Sequence, residues 1–291
     1  MVQLPFYIVD VFAERAYSGN QLAVFIVEEN LSPTVRQKIA KELHFSESIF
    51  IKKRKDSLID VWIHTPEEEI PFAGHPLIGA AYVWSRHHQS TGNHLTFYTK
   101  AGLIPISYEE KRMIYWMQQQ SPDYREVILA SEAAKVLGLD VKKFDPSWPV
   151  QEISTGLPVI VAPVKTMEAV KHVKLNLSAY QELIDRVEAK GICVFAMEGD
   201  RSDIYVRDFA PFYGIQEDAA TGSSNGAILA AIMRKENGEG VSLLSEQGVE
   251  MGRPSLLYLR GEKSKVETKI FVGGNVVQLA KGLWDVEKET E

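Results

Sequence analysis

Through the first part of the chain, apolar positions gather in short runs with the two-residue rhythm of half-buried strands. These runs are Phe6–Phe12, Gln21–Val27, Ser48–Ile51, Leu58–His64, Leu95–Lys100, Leu103–Tyr108 and Met113–Met117. Ala101-Gly102 predicts a tight turn between two of them. Two stretches change to helical spacing. Ser32 supplies an N-cap and Pro33 a first helical position, and apolar residues then recur at helical intervals to Leu43. A second helix opens at Gly74-His75 and continues through Ala80, Ala81 and Val83. The polar run Gln118–Pro122 reads as a linker. Beyond it the pattern predicts strands at Val159–Val164, Ile192–Met197, Asp203–Phe209, Ser255–Arg260, Lys269–Val272 and Val276–Ala280. Helices are predicted at Ser131–Leu137, Ser178–Ala189 and Ser223–Lys235. Strands and helices do not alternate as regularly as a doubly wound sheet requires, which places the chain in the α+β class.

Two helix starts look alike. Glu69-Ile70-Pro71-Phe72-Ala73-Gly74-His75 aligns with Glu217-Asp218-Ala219-Ala220-Thr221-Gly222-Ser223, and each leads into a small-residue helix, through Gly79-Ala80-Ala81 and Gly226-Ala227-Ile228. The offset is 148 residues, about half of the 291. A repeat at that spacing predicts two similar lobes, 1–120 and 121–291, with the last residues (about 282–291) packing back onto the first.

Composition narrows the classes. Hydrophobic residues make up 45% of the chain, with 12 Phe, 11 Tyr and 5 Trp, enough for full cores. The formal net charge is -7, and no basic block interleaves with aromatics, so no nucleic-acid partner is expected. The densest basic run, Lys52-Lys53-Arg54-Lys55, reads as a solvated loop. The N-terminal MVQLPFYIVDVF has no basic leader and is broken by Pro5 and Asp10, so it reads as a first strand rather than a signal peptide. No apolar run is long enough to span a bilayer, and no membrane partner is expected. The lone cysteine, Cys193, lies in an apolar run, which excludes an intramolecular disulfide and suits a reducing, cytoplasmic setting. His87, His88 and His94 have no ligand-like spacing with carboxylates and read as surface residues, so no metal site is expected.

Gly222-Ser223-Ser224-Asn225-Gly226 matches the G-x-S-x-G of a nucleophile elbow, but Glu217 to Thr221 is no buried strand and no histidine follows Ser224. A phosphate loop would need Lys-Ser/Thr after its second glycine, whereas Gly226 leads into Ala227-Ile228. What remains is simpler. Gly74 and Gly222 each turn the backbone into a helix whose first N–H groups are free to bind a carboxylate or oxyanion, with His75 and Ser223 at or beside the caps. Taken alone, either residue fits plain capping equally well, the acids Glu217 and Asp218 fit a surface turn, and Glu47 fits a solvated strand edge.

Taken together the motifs resemble the PhzF-like (phenazine biosynthesis) family. The matching stretches are Phe12 with Gly19-Asn20 and Leu22-Ala23-Val24, Phe45-Ser46-Glu47-Ser48, and Pro71 to Ala80. In the second half they are Arg207 to Pro211, Gly214 to Ser223, Gln247-Gly248, Gly252 to Ser255 and Val272-Gly273-Gly274. The resemblance implies a diaminopimelate-epimerase-like fold: two pseudo-symmetric lobes, each a curved, mostly antiparallel, barrel-like sheet around a central helix, with the active site in the cleft between them. It implies a cofactor-independent isomerase, commonly a homodimer, that moves a proton on a small carboxylated ring such as trans-2,3-dihydro-3-hydroxyanthranilate. On that pattern Glu47 is the general acid/base, and His75, Asp218 and Ser223 hydrogen-bond substrate and assist the proton. Gly74, Gly222, Thr221 and Asn20 complete the binding set. One departure is Ala219, where the family usually has proline after the aspartate. Racemases of this fold use a cysteine at each helix start; His75 and Ser223 stand there instead, so two-thiol chemistry is excluded. A different reading is a catalytically silent paralogue that binds a small metabolite or regulates.

Overall fold

Buried apolar side chains alternating with exposed ones set the strands, and the computed structural model describes residues 2–28, 31–54, 58–87, 92–236, 240–264 and 266–286. Lys55, His88 and the tail 287–291 lie outside the described residues. The chain divides into two units, Met1–Met117 with Gly273–Glu291, and Gln118–Val272.

The first unit holds β1 (Val2–Val11), β2 (Asn20–Ile26), α1 (Pro33–Leu43), β3 (Ser48–Lys53), β4 (Leu58–His64), β5 (Glu69–Ile70), α2 (Gly74–His87), β6 (His94–Thr99), β7 (Gly102–Glu109) and β8 (Ile114–Gln118). β1 and β2 form an antiparallel pair, and β3 lies parallel to β2 after α1. β4 returns antiparallel to β3, pairs antiparallel with β5, and lies parallel to β6 after α2. β6, β7 and β8 continue as antiparallel neighbours. α1 starts as the residues require: the Ser32 side chain accepts from the Val35 N–H at 3.3 Å, and Pro33 needs no donor at the first position.

α2 is apolar nearly all round, with Leu77, Ile78, Ala80, Ala81, Val83 and Trp84 buried, and it packs against β1, β2 and β3. Its small residues permit the close approach. A Cβ on Gly79 would stand 2.4 Å from Leu22 Cδ2 and 3.0 Å from Val11 Cγ2. We therefore expect Gly79→Ala to lower stability by about 1–3 kcal/mol in urea unfolding, although alanine favours helix by roughly 1 kcal/mol.

The second unit repeats the order. It holds β9 (Asp123–Ile128), α3 (Ala130–Leu137), β10 (Val150–Ser154), β11 (Pro158–Pro163), α4 (Met167–Lys171), α5 (Leu177–Ile184), β12 (Gly191–Ala196) and β13 (Ile204–Ala210). There follow β14 (Ile215–Asp218), α6 (Gly222–Lys235), β15 (Gly240–Gln247), β16 (Ser255–Lys263) and β17 (Thr268–Gly274). As in the first unit, an antiparallel pair (β10, β11) leads through helix to a parallel strand (β12). β13 then pairs with β14, and α6 returns the chain to β15, parallel to β13. α6 has the length of α2 and the same buried small residues, Gly226, Ala227 and Ala230. Both units are therefore α+β, each with a mostly antiparallel sheet packed on one buried helix.

The chain's last strand, β18 (Val276–Val286), explains why the first unit recruits the C-terminal residues. It pairs antiparallel with β1 from Val2 to Val11, the place that β9 takes beside β10. The return begins at Gly273. Among the described residues no helix is long and apolar enough to cross a membrane.

The periodicity missed β9, β10 and β15. β9 buries only Ile128, while the buried positions of the other two carry polar residues, Gln151 and Glu152 in β10 and Ser245, Glu246 and Gln247 in β15, each with a partner inside the fold. α5 ends at Ile184 rather than Ala189, because the Lys190 ammonium takes the carbonyls of Ile184 (2.5 Å) and Val187 (3.1 Å) and turns the chain.

Candidate active site

Glu47 stands where α1 gives way to β3. His44 closes α1 in the left-handed conformation (φ 55°), and Phe45-Ser46-Glu47 then leads into β3 at Ser48. His75, buried at the second position of α2, places its Nε2 3.5 Å from Glu47 Oε2. The Glu47 side chain is 14% exposed, and its Oε2 is buried with no hydrogen-bond partner among the described residues. Removing a carboxylate from water disfavours its charged form. Burial accordingly pushes Glu47 up to about 7, while a hydrogen bond from Ser46 pulls weakly the other way. Such a group is ready to give or take a proton near neutral pH.

Asn20 opens β2 and is buried; its Oδ1 accepts from the Ser46 hydroxyl at 3.5 Å, one residue from Glu47. The turn before it needs glycine. Gly19 has φ 69°, and a Cβ there would fall 2.3 Å from the Val11 carbonyl oxygen. Asp10 holds the same turn by accepting from the Tyr17 N–H at 2.7 Å.

In the second unit the acids Glu217 and Asp218 part company. Successive residues of a strand face opposite sides. Glu217 meets Arg207 in a two-pronged pair, Nε to Oε1 at 2.8 Å and Nη2 to Oε2 at 2.7 Å. Asp218 faces the other way and accepts from the Thr221 hydroxyl. Thr221 is the N-cap residue of α6, yet its side chain makes no cap hydrogen bond, since its hydroxyl goes to Asp218. Its N–H goes to Gln247 Oε1 at 3.2 Å, which leaves the N–H groups of Gly222 and Ser223 as the first donors of the helix without a partner among the described residues. Ser223 is half-buried, whereas Ser224, the serine of the apparent elbow, is buried and turned to Asp208.

A buried amide network fixes this helix start. Gln247 Nε2 donates to the Asp218 carbonyl (2.8 Å) and to Thr221 Oγ1 (3.0 Å), and its Oε1 also accepts from Asn225 Nδ2 (2.8 Å). Ser245 closes the set on Asn225 Oδ1 at 2.6 Å. On another side Gln119 donates to the Gly222 carbonyl at 2.8 Å and accepts from Thr155. Gln119 belongs to the run that sequence pattern assigns to a linker. Burial converts it into a brace, and no periodicity signals that. Gln247-Gly248 was visible as a motif but not as a brace, because its partners are 22 to 29 residues away. Gln247→Met, of similar length, should cost on the order of 2–4 kcal/mol by leaving the Thr221 and Asn225 donors unmet, measurable by urea unfolding.

Of the residues the sequence singled out, the first unit brings Glu47 and His75 together, with Asn20 beside Ser46. The second unit gathers Asp218, Thr221, Gly222 and Ser223 into one turn. Residues 9–282 match the family described as phenazine biosynthesis-like protein. The chain belongs to that family. It is 33% identical to a trans-2,3-dihydro-3-hydroxyanthranilate isomerase of Pseudomonas fluorescens, over 95% of this chain and 98% of the relative. A crystal structure of a Bacillus anthracis phenazine biosynthesis protein of the PhzF family superposes with a TM-score of 0.90, covering 98% of this chain and 100% of that one at 23% identity. A probable proline racemase of Agrobacterium radiobacter shares the fold more distantly, with a TM-score of 0.64 at 13% identity and 93% of its chain covered. Kinship with the phenazine biosynthesis-like family makes the protein an isomerase. Its single cysteine, Cys193, is buried in β12 with its thiol pushed well above the ordinary range by burial and by Asp208.

Proposed function

We propose that this isomerase moves a proton between two carbons of a small carboxylated ring, of the kind named for its Pseudomonas relatives, trans-2,3-dihydro-3-hydroxyanthranilate. Glu47 is the group that takes the proton and gives it back. The carrying observation is the state of Glu47: a buried carboxyl pushed up to about 7, its Oε2 without a hydrogen-bond partner among the described residues, with His75 Nε2 at 3.5 Å. A general acid/base works best when its pKa lies near the working pH. Ionised Glu47 takes a proton from an activated C–H, the ring's double bonds shift, and protonated Glu47 returns the proton to a second carbon. Atoms and electrons are conserved, so the step consumes no redox cofactor.

One carrier suits the asymmetry of the repeat. The residue just before β12, in the place that Glu47 holds before β3, is Lys190, whose ammonium is engaged with two carbonyls. In this reading His75 and Asn20 orient the ring beside Glu47. Gly222 and Ser223 offer N–H groups, and Ser223 its hydroxyl, to a substrate carboxylate. Gly74 and His75 offer N–H groups at the start of α2, where Pro76 has none. Asp218 and Thr221 supply polar contacts to ring substituents. The homodimer implied by the family resemblance is part of the same reading, and sedimentation analysis checks it.

The test is turnover of trans-2,3-dihydro-3-hydroxyanthranilate, followed by chromatography, for wild type and Glu47→Gln. Product from wild type alone supports the reading. Equal turnover by both removes Glu47 from the mechanism, and tight binding without product identifies a silent binder.

A further inference from the structure

Asp208 has no part in proton transfer at Glu47, yet it is the most buried acid among the described residues of the second unit. β12, β13 and β14 lie side by side, with Cys193 opposite Asp208 and Asp208 opposite Asp218. Directly opposed residues in an antiparallel pair hold their Cβ atoms about 4.5–5.5 Å apart on one face of the sheet. The neighbouring acid, Glu217, is on the other face with Arg207. Asp208 is 2% exposed, and its Oδ2 has no hydrogen-bond partner among the described residues. The hydroxyls of Ser224 and Thr221 lie against the carboxyl. Thr221 has one hydroxyl hydrogen, which it gives to Asp218, and it already receives one from Gln247. It can offer Asp208 only a lone pair, which suits an acid that still has its proton.

We propose that Asp208 holds a proton on behalf of the pair it forms with Asp218, so that the pair carries one negative charge while the enzyme works. Asp208 is thereby a positioning residue: it keeps Asp218 as a single, fixed acceptor and keeps a second negative charge away from the α6 start. Burial, with the charges of Asp218 and Glu217, raises its carboxyl to about 7 against the hydrogen bond from Ser224. The titratable groups on its side are Cys193 of β12, Asp218 of β14 and Tyr180 of α5, and the charge of Glu217 reaches it from the opposite face. The Cys193 thiol and the Tyr180 phenol are both shifted upward, so both stay neutral through this range.

The proposal rests on Asp218 and the α6 start contacting a carboxylated substrate, and it has a sign opposite to that of Glu47. Glu47 must lose its proton to act as a base, so activity rises as pH climbs toward about 7. Asp208 must keep its proton, so activity falls as pH climbs past about 7. The experiment compares kcat/KM against pH for wild type and Asp208→Asn, which retains a neutral donor of the same shape. Wild type should lose about tenfold per pH unit on the alkaline side. The variant should change less than about twofold from pH 7 to 9, with the acid-side limb kept. A folded variant with the wild-type alkaline limb, or without activity at any pH, overturns the proposal.

A second measurement needs neither the variant's folding nor turnover. In wild-type protein labelled with carbon-13 at the aspartate carboxyl, one signal should titrate near pH 7 and move down in Asp218→Asn. No such signal, or one indifferent to Asp218, overturns the proposal. The aspartate label does not report Glu47. If Glu47→Gln keeps full turnover while an aspartate still titrates near 7, the proton-carrier reading fails and the acid pair stands.

Discussion

Glu47→Gln should lower kcat by about 10²–10⁴-fold, the usual contribution of a positioned general acid/base, with substrate binding much less affected. The same change should stabilise the protein at neutral and alkaline pH. Glu47 has its folded value raised to about 7 from an ordinary 4.5. Between those values the unfolded chain has released the proton and the folded one has not, so stability falls as pH rises through the window. The loss is complete above about 7, where wild type gives up on the order of 3 kcal/mol to the buried charge. A glutamine carries no such charge. Urea midpoints for the two proteins should converge near pH 4 and separate near pH 8, with the variant higher. Lower activity with higher stability is the signature of a group held in an unfavourable state for its chemistry. Loss of both together would mean that Glu47 is a structural residue.

Arg207→Met should destabilise the second unit by about 3–5 kcal/mol, the range for breaking one side of a buried ion pair. Arg207 is only 8% exposed and meets Glu217 with two short bonds. Its remaining nitrogen, Nη1, caps the end of α4, donating to the carbonyls of Val170 (3.4 Å), Lys171 (3.2 Å) and Val173 (3.0 Å). Removing the guanidinium leaves Glu217 charged and poorly solvated next to Asp218, and takes a donor from the carbonyls of Lys171 and Val173, while that of Val170 still accepts from the Val173 N–H at 3.2 Å. Arg207→Met combined with Glu217→Gln should recover part of the loss, since the orphaned charge is gone while the carbonyls remain unmet. If the double variant is no more stable than the single one, the cost lies in the α4 cap and not in the ion pair. Lysine at position 207 should rescue poorly, because an ammonium cannot reproduce the planar fork.

The elements with strong periodicity were legible in the residues. α1 announces itself through Ser32 and Pro33, and α2 and α6 through glycine-led starts half a chain apart. The repeat they suggested reappears as the same strand order in both units. Of the strands that escaped, β10 and β15 bury polar side chains, and a rule built on apolar alternation does not register a glutamate satisfied by a backbone N–H; β9 buries only Ile128 and has no apolar face to register. The same blindness hid the bracing roles of Gln119 and Gln247 and the burial of Asp208.

The sequence by itself determined the class of fold, the two matched helix starts, the lone cysteine in an apolar run and the family, because each is written in local spacing or in residue inventory. Read from the residues alone, the acids at 217 and 218 were one pair, and the family resemblance gave a role to Asp218 only. The tertiary structure supplies the physical division, sending Glu217 to Arg207 and Asp218 to Asp208. Likewise only the fold decided that Glu47 is not a solvated strand edge, since burial is a property of what packs around a residue. A carboxyl's charge state depends on the water, dipoles and charges within a few ångströms, and the chain supplies those from positions far apart in sequence.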